Sequence, residues 1–441
     1  MLKTGEYIKK QEAICRKNDK IAAGLYEEYN VNRGLRDKNG KGVLTGLTNI
    51  SKVMSTKIVD GKSVPCDGEL WYRGYRVETL INSLKPDEMG FEKIAYLLLM
   101  GEMPSSDELA DFRSVLAQSR RLPKNFTRDV IMKAPSADIM NAMTRSILTL
   151  ASYDPYVNSG SVTISLRQCI DLIAVFPRLA VYAYHAYNHY ENDQSMYIHK
   201  PDENLSTAEN FLMMLRPDKS FTPVEAKVLD TALILHMEHG GGNNSTFTTR
   251  VVTSAGSDTY STIAAAMSSL KGPKHGGANI KVMEMMADIK EHVPNYSDKA
   301  ALKDYLAKIL DKDAFDKKGL IYGMGHAIYS LSDPRERVFR SFVEKLAVEK
   351  GKEKELELYQ DIEKFAPELI AEKRKIYKGV SPNVDFYSGF VYDMLGIPKE
   401  LYTAMFAIAR IAGWSAHRIE ELLCMDKIIR PAYMSVMEEK E

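Results

Sequence analysis

With 441 residues, 45% of them hydrophobic and 27% charged, the chain has room for a large core and two or three domains, and it is too apolar for a disordered polymer. Lysine plus arginine equals aspartate plus glutamate at 59 each, which leaves no global field to gather nucleic acid or an anionic membrane, so any anionic ligand is held by local charges. The four cysteines, Cys15, Cys66, Cys169 and Cys424, stand far apart in no metal or redox spacing. The opening MLKTGEYIKKQEAICRKNDK lacks an apolar targeting core, and no apolar run approaches the roughly 18 residues of a spanning helix. A cytoplasmic protein without nucleic-acid or membrane partners is the expectation.

Strand signals are confined to the N-terminal region, in KVMSTKIVDGKSV and ELWYRGYRV, and predict small hairpin pieces on a helical body. FEKIAYLLLMGEMP then carries apolar residues at Phe91, Ile94, Ala95, Leu98 and Leu99 and stops at Gly101 and Pro104, the one-face spacing of a helix. LSTAENFLMML opens on Ser206 as N-cap. TPVE supplies Thr222 as N-cap, Pro223 at the first helical position and Glu225 to close a capping box; the helix it starts is expected to run to Gly240, Gly241 and Gly242. DPRE, Asp333 to Glu336, predicts a second box and helix. There is no regular alternation of strands and helices, so the fold class is all-α rather than doubly wound. A Lys- and Glu-dense stretch, roughly 290 to 380, reads as a smaller helical domain set within the first.

Four segments combine polar residues with a permissive backbone. In HMEHGGGNNST, His236 and His239 stand three apart and would share a helical face. Capping of helix carbonyls suits them better than a metal, because no cysteine is near and HExxH is absent. The glycines followed by Asn243 and Asn244 suggest a polar pocket wall. KGPKHGGAN sets His275 among glycines ahead of a helix for which Asn279 is a candidate cap. The positive end of that dipole favours a neutral ring that donates one hydrogen bond to a carbonyl, although a structural role fits a lone histidine too. GMGHAIYSLSDPRER repeats the device with Gly323, Gly325 and His326, then places Arg335 in a first helical turn, where a bound anion would offset its clash with the dipole; a solvated arginine is the alternative. In SPNVDFYSG, Asp385 is either an N-cap or a carboxylate whose apolar setting raises its pKa toward general-base work. Arg410 inside MFAIARIAGW and Arg430 after two isoleucines would need carboxylate partners if buried, whether from a ligand or from the protein.

Two glycine-flanked histidines, one aspartate and three arginines suit carbanion chemistry on an acid substrate. The chain resembles the citrate synthase family, from ELWYRGYRVETL through FEKIAYLLLMGEMP and NLSTAENFLMML to KIIRPAY, with GPKHGGAN, GMGHAIY plus DPR, and NVDFYSG as its specific marks. The resemblance implies an all-α fold with a large domain from 1–275 and 385–441 and a small domain from 276–384. It implies that His275 binds the acetyl-CoA thioester carbonyl while Asp385 removes a methyl proton, and that His326 polarises the oxaloacetate ketone. His239, Arg335, Arg410 and Arg430 would hold the oxaloacetate carboxylates beside Asn243, with Arg430 reaching in from the other subunit of a homodimer. Coenzyme A would lie along Gly323 to Gly325 near Lys378 and Asn383. Acetyl-CoA is then a substrate, and no metal or redox cofactor is expected. Ala327 departs from the arginine of many bacterial relatives, which bears on CoA phosphate contacts. Propionyl-CoA in place of acetyl-CoA, as in 2-methylcitrate synthases, is one alternative, since a single methylene changes binding by only about 1 to 3 kcal/mol. A catalytically silent acyl-CoA-binding protein is the other, and the intact histidines and aspartate speak against it. The first 50 or so residues carry no motif.

Overall fold

The computed structural model describes residues 4–38, 40–326, 328–329, 331–374, 379–424 and 427–437; Lys378 and Ala327 lie outside the described residues. The chain divides into two units after Leu47. In the first, helices Thr4–Asn18 and Ala23–Glu28 bury no side chain, as expected of segments without a wide apolar stripe.

The second unit opens with a three-stranded antiparallel sheet, β1 (Ser51–Val59), β2 (Lys62–Tyr72) and β3 (Tyr75–Arg76), in that order. The two predicted pieces are thus one meander. Both turns are two-residue hairpins with positive φ at each position, Asp60 and Gly61 then Arg73 and Gly74, the geometry that matches strand twist. Tyr72 is fully buried, and its hydroxyl donates to the carbonyls of Ile234 and Glu238, which ties the sheet to the histidine-bearing segment.

The rest is helical. Ser206 with Glu209 and Thr222 with Glu225 form reciprocal capping boxes, and helix Phe91–Met100 ends on Gly101 at φ 91°. Several local expectations are corrected. Helix Pro223–His236 stops at His236 rather than at the glycines, so His236 and His239 share no helical face. Helix Ala278–His292 begins before Asn279, with Gly277 at its cap; Asn279 donates instead to Ser388 Oγ at 2.8 Å. Asn383, not Asp385, caps helix Val384–Met394. Asp333 caps helix Pro334–Lys350 without a box, because its carboxylate is taken by Arg335.

Helix Tyr402–Cys424 is buried on almost every face, and such a helix belongs at the centre of a core. It packs on helices Val162–Asn192, Asn244–Ser254, Phe91–Met100 and Pro223–His236. At Gly413 the two backbones touch: a Cβ there would lie 2.3 Å from the Met237 carbonyl and 2.5 Å from Glu238 Oε2. Helices Ala278–His292, Pro334–Lys350 and Glu353–Arg374 gather with helix Val384–Met394, where Tyr359 stacks on Phe390 at 4.6 Å.

Candidate active site

Past its helix end, His239 enters a turn that Gly240 makes at φ 87°. His239 Nε2 lies 3.2 Å from the Tyr329 hydroxyl, and its ring meets His326 edge-on at 5.2 Å. His326 stacks on Tyr329 at 5.0 Å, and the Arg335 guanidinium stands 5.9 Å over the same tyrosine. His326 Nδ1 accepts from the backbone N–H groups of Ile328 and Tyr329 at 3.1 and 3.3 Å. A neutral ring with both donors on Nδ1 carries its proton on Nε2. Burial and then the charge of Arg335 push His326 down to about 4, and burial, Arg335 and His326 hold His239 well below the usual histidine range. Both rings are neutral donors at neutral pH.

Arg335 is 3% exposed and its partner Asp333 is fully buried, which overturns the solvated alternative. Its Nε and Nη2 donate to the two Asp333 oxygens at 3.0 and 2.7 Å, a bidentate geometry that fixes the guanidinium plane. Burial lowers Arg335, but the attraction and hydrogen bonds of Asp333 outweigh it and raise the group above its ordinary value. Asp333 also accepts from Val384 N–H at 3.3 Å, so the same carboxylate anchors the start of the helix that carries Asp385. Asp385 is partly buried. Burial pushes it up to about 6 against the pull of Arg335 and Arg410.

Gly323 and Gly325 adopt φ 82° and 84°, and a Cβ on Gly323 would sit 2.8 Å from the Phe386 ring. Asn383 N–H donates to the Gly323 carbonyl at 2.9 Å and Gly325 N–H to the Ser381 carbonyl at 2.8 Å. The Asn383 side chain bridges Asp385 N–H and the Gly325 carbonyl. These residues clamp the His326 loop against the entry to the Asp385 helix, and that close approach is why glycine is needed there.

His275 Nε2 lies 3.0 Å from Ser245 Oγ. Ser245 also meets Asn243 Oδ1 at 2.9 Å and accepts from Trp414 Nε1 at 3.2 Å. Burial and then Arg410 push His275 down to about 4. Arg410 is 3% exposed; its Nε donates to the His236 carbonyl at 2.7 Å, while its Nη1 has no hydrogen-bond partner. His236 packs against Phe406 at 4.0 Å, an aromatic setting rather than a ligand set, and no group of three or more His, Cys, Asp or Glu residues among the described residues is placed to hold a metal.

The chain therefore connects His239, His326 and Asp385 with Arg335 and Arg410 by ring contacts and charge, His275 with Arg410, and Asn243 with His275 through Ser245. Arg430 stands apart, exposed in the stretch beyond the C-terminal helix; its two isoleucine neighbours do not bury it. Sequence reasoning missed Tyr329, Ser245 and Trp414. All three lie inside stretches already singled out, Ser245 directly after Asn243 and Asn244 in HMEHGGGNNST, so closeness in sequence to His326, Asn243 and Arg410 was the available signal. Neutral ring donors, a carboxylate near its working pKa and two buried guanidinium groups can deprotonate carbon beside a carbonyl and hold an acid.

The family model for the citrate synthase C-terminal domain matches residues 38–432. A citrate synthase of Synechocystis is 36% identical, covering 84% of this chain and 85% of that protein. The 2-methylcitrate synthase 1 of Corynebacterium glutamicum is 32% identical, covering 92% and 96%. Among solved structures, the citrate synthase of Thermoplasma acidophilum, in ternary complex with carboxymethyl coenzyme A and oxaloacetate, superposes with a TM-score of 0.73 at 28% identity, covering 93% of this chain and 97% of that one. With the fold, the site and these matches in agreement over most of its length, the chain belongs to the citrate synthase family.

Proposed function

We propose that this protein condenses acetyl-CoA with oxaloacetate and hydrolyses the resulting citryl-CoA to citrate and CoA. The observation that carries this reading is that Asp385, His275 and His326 each stand within the field of a buried arginine, Arg335 or Arg410, with the carboxylate pushed up to about 6 and the imidazoles down to about 4 by burial. Asp385 takes a proton from the acetyl methyl group. His275 donates to the thioester oxygen as enol or enolate character develops: with the Asn243 amide turned to donate, the Ser245 proton goes to His275 Nε2 and the ring proton sits on Nδ1. The new carbon–carbon bond forms at the oxaloacetate ketone, and His326 Nε2–H supplies the proton to its oxygen. Arg335, Arg410 and His239 hold the carboxylates beside Asn243. Water then hydrolyses the thioester. Oriented donors stabilise each oxyanion, so neither metal nor redox cofactor takes part.

Coenzyme A lies along Gly323 to Gly325, with Lys378 and Asn383 beside it. Residues 276–384 form a small domain that closes on the large one, and the enzyme is a homodimer in which Arg430 reaches the other subunit's site. The four free thiols support a reducing cytoplasm. No helix among the described residues is long and apolar enough to cross a membrane.

The test follows free thiol with acetyl-CoA or propionyl-CoA, with and without oxaloacetate and a chelator. Release that needs oxaloacetate, persists in chelator and is faster from acetyl-CoA is expected. Release without oxaloacetate would indicate a thioesterase instead. Faster release from propionyl-CoA would favour the second reading, a 2-methylcitrate synthase, which the 32% identity to such an enzyme keeps in play.

A further inference from the structure

One carboxylate in the HMEH segment, Glu238, belongs to none of the roles above, yet it is wholly buried, as is His417 on helix Tyr402–Cys424. Three donors converge on its Oε1: Ser51 Oγ at 2.8 Å, Gly240 N–H at 2.6 Å and His417 Nε2 at 3.0 Å. They come from strand β1, from the turn itself and from the central helix. Arg250 in turn donates from Nε and Nη2 to His417 Nδ1 at 3.2 and 2.8 Å and pairs with Glu420 and Glu421. Since Arg250 can only donate, His417 keeps its proton on Nε2 and gives it to Glu238. The polar chain is thus directional, from Arg250 through His417 to Glu238. Tyr72 closes the turn from the other side by donating to the Glu238 carbonyl at 3.1 Å, and Gly413 leaves no room for the turn to shift toward the helix.

His239 is the residue between Glu238 and Gly240, so the only side chain of this turn that meets His326 and Tyr329 is aimed by backbone groups that the chain fixes. We propose that Glu238 and His417 are positioning residues for oxaloacetate binding, acting through the Met237–Gly240 turn to hold His239 against Tyr329 and His326. The inference rests on the reading of this site as the oxaloacetate site. The hydrogen bonds from His417 and Ser51 and the charge of Arg410 favour the ionised form of Glu238 against the effect of burial, so the carboxylate suits the acceptor role this geometry gives it.

Glutamine separates placement from mere folding. In Glu238→Gln the amide oxygen can take all three donors at the Oε1 position, and the NH2 falls where Oε2 has no partner. In His417→Gln a donor and an acceptor are both kept. Glu238→Ala and His417→Leu keep neither. The measurement is steady-state kinetics of the intact protein with each substrate varied, together with calorimetric titration of oxaloacetate. Glu238→Ala and His417→Leu are expected to raise the oxaloacetate KM and Kd on the order of 10- to 100-fold, because small misplacements at a site cost that much. The acetyl-CoA KM at saturating oxaloacetate should stay within about threefold, and both glutamine variants should stay within about threefold on every parameter. If the truncations do not fold, Ser51→Ala, which removes one donor at a strand start, is read instead and should raise the oxaloacetate Kd by about threefold or more. Unchanged oxaloacetate binding in a folded truncation, an equal rise in both KM values, or glutamine variants as impaired as the truncations would each overturn the proposal. If the unmodified protein releases no thiol with oxaloacetate, the proposed function fails instead, and the two failures are told apart by that control.

Discussion

At the scale of single residues, the site works by setting pKa values apart. Asp385 is pushed up to about 6 by burial, while His275 and His326 are pushed down to about 4. The base needs its ionised form and the two imidazoles need their neutral forms, so kcat/KM is expected to be flat above about pH 7 and to fall toward tenfold per unit below pH 6 as Asp385 protonates. A plateau down to pH 4 would contradict this assignment. Stability has the opposite sign at this position: a carboxyl whose folded value is raised binds its proton more tightly in the native state, so its ionisation costs stability as pH rises from 4 through 6. Asp385→Asn removes that cost and leaves the Asn383 cap in place, so the variant should melt no lower than the unmodified protein at pH 7.5. Its catalysis should drop by about 100- to 10,000-fold. Exchange of acetyl methyl protons with deuterium, in the presence of a non-reacting oxaloacetate analogue, isolates the step: an Asp385→Asn protein that exchanges at the unmodified rate is not missing its base.

At the scale of elements, what the sequence made legible is what is encoded within a few residues. The cap at Ser206 and the box at Thr222 are set by residues within three positions, and the two hairpin turns by adjacent residues. Helix ends are another matter. The helix from Thr222 was expected to reach Gly240, but Tyr72, which lies 162 residues from Ile234 in sequence, takes the carbonyls near its end, and a partner that distant leaves no local trace. The same holds for the site: His275, His326, Asp385 and the arginines were legible because glycine or apolar neighbours make them conspicuous, whereas Ser245 and Glu238 are ordinary residues recruited by helix Tyr402–Cys424. Asp333 shows a local signal read incompletely, since DPRE does mark a cap, but the carboxylate is shared among Arg335 N–H, its guanidinium and Val384 N–H. Removing it leaves a buried guanidinium unpaired. Asp333→Ala should therefore lower the unfolding free energy by roughly 3 to 5 kcal/mol in urea, well beyond the roughly 1 kcal/mol of a cap alone. A loss limited to the cap value would mean that Arg335 finds another partner.

At the scale of the whole molecule, one residue of the proposed carboxylate clamp is displaced from the rest. Arg430 is exposed, and residues 431–437 after it have no regular structure, with Tyr433 94% and Met437 79% exposed. A guanidinium that completes a buried anion site cannot act from an exposed stretch of its own chain, so the role proposed for it requires a second copy. That requirement is testable without knowing the interface. In a two-fold dimer, Arg430→Ala and Asp385→Ala subunits that exchange freely form heterodimers in half of the population, and each heterodimer has one site with Asp385 from one chain and Arg430 from the other. Mixing two inactive proteins should then restore about a quarter of the unmodified activity. Each homodimer alone should remain inactive, which excludes leakage from either variant. If subunit exchange is demonstrated by mass and no activity returns, Arg430 does not cross between subunits, and the clamp consists of Arg335, Arg410 and His239 of a single chain.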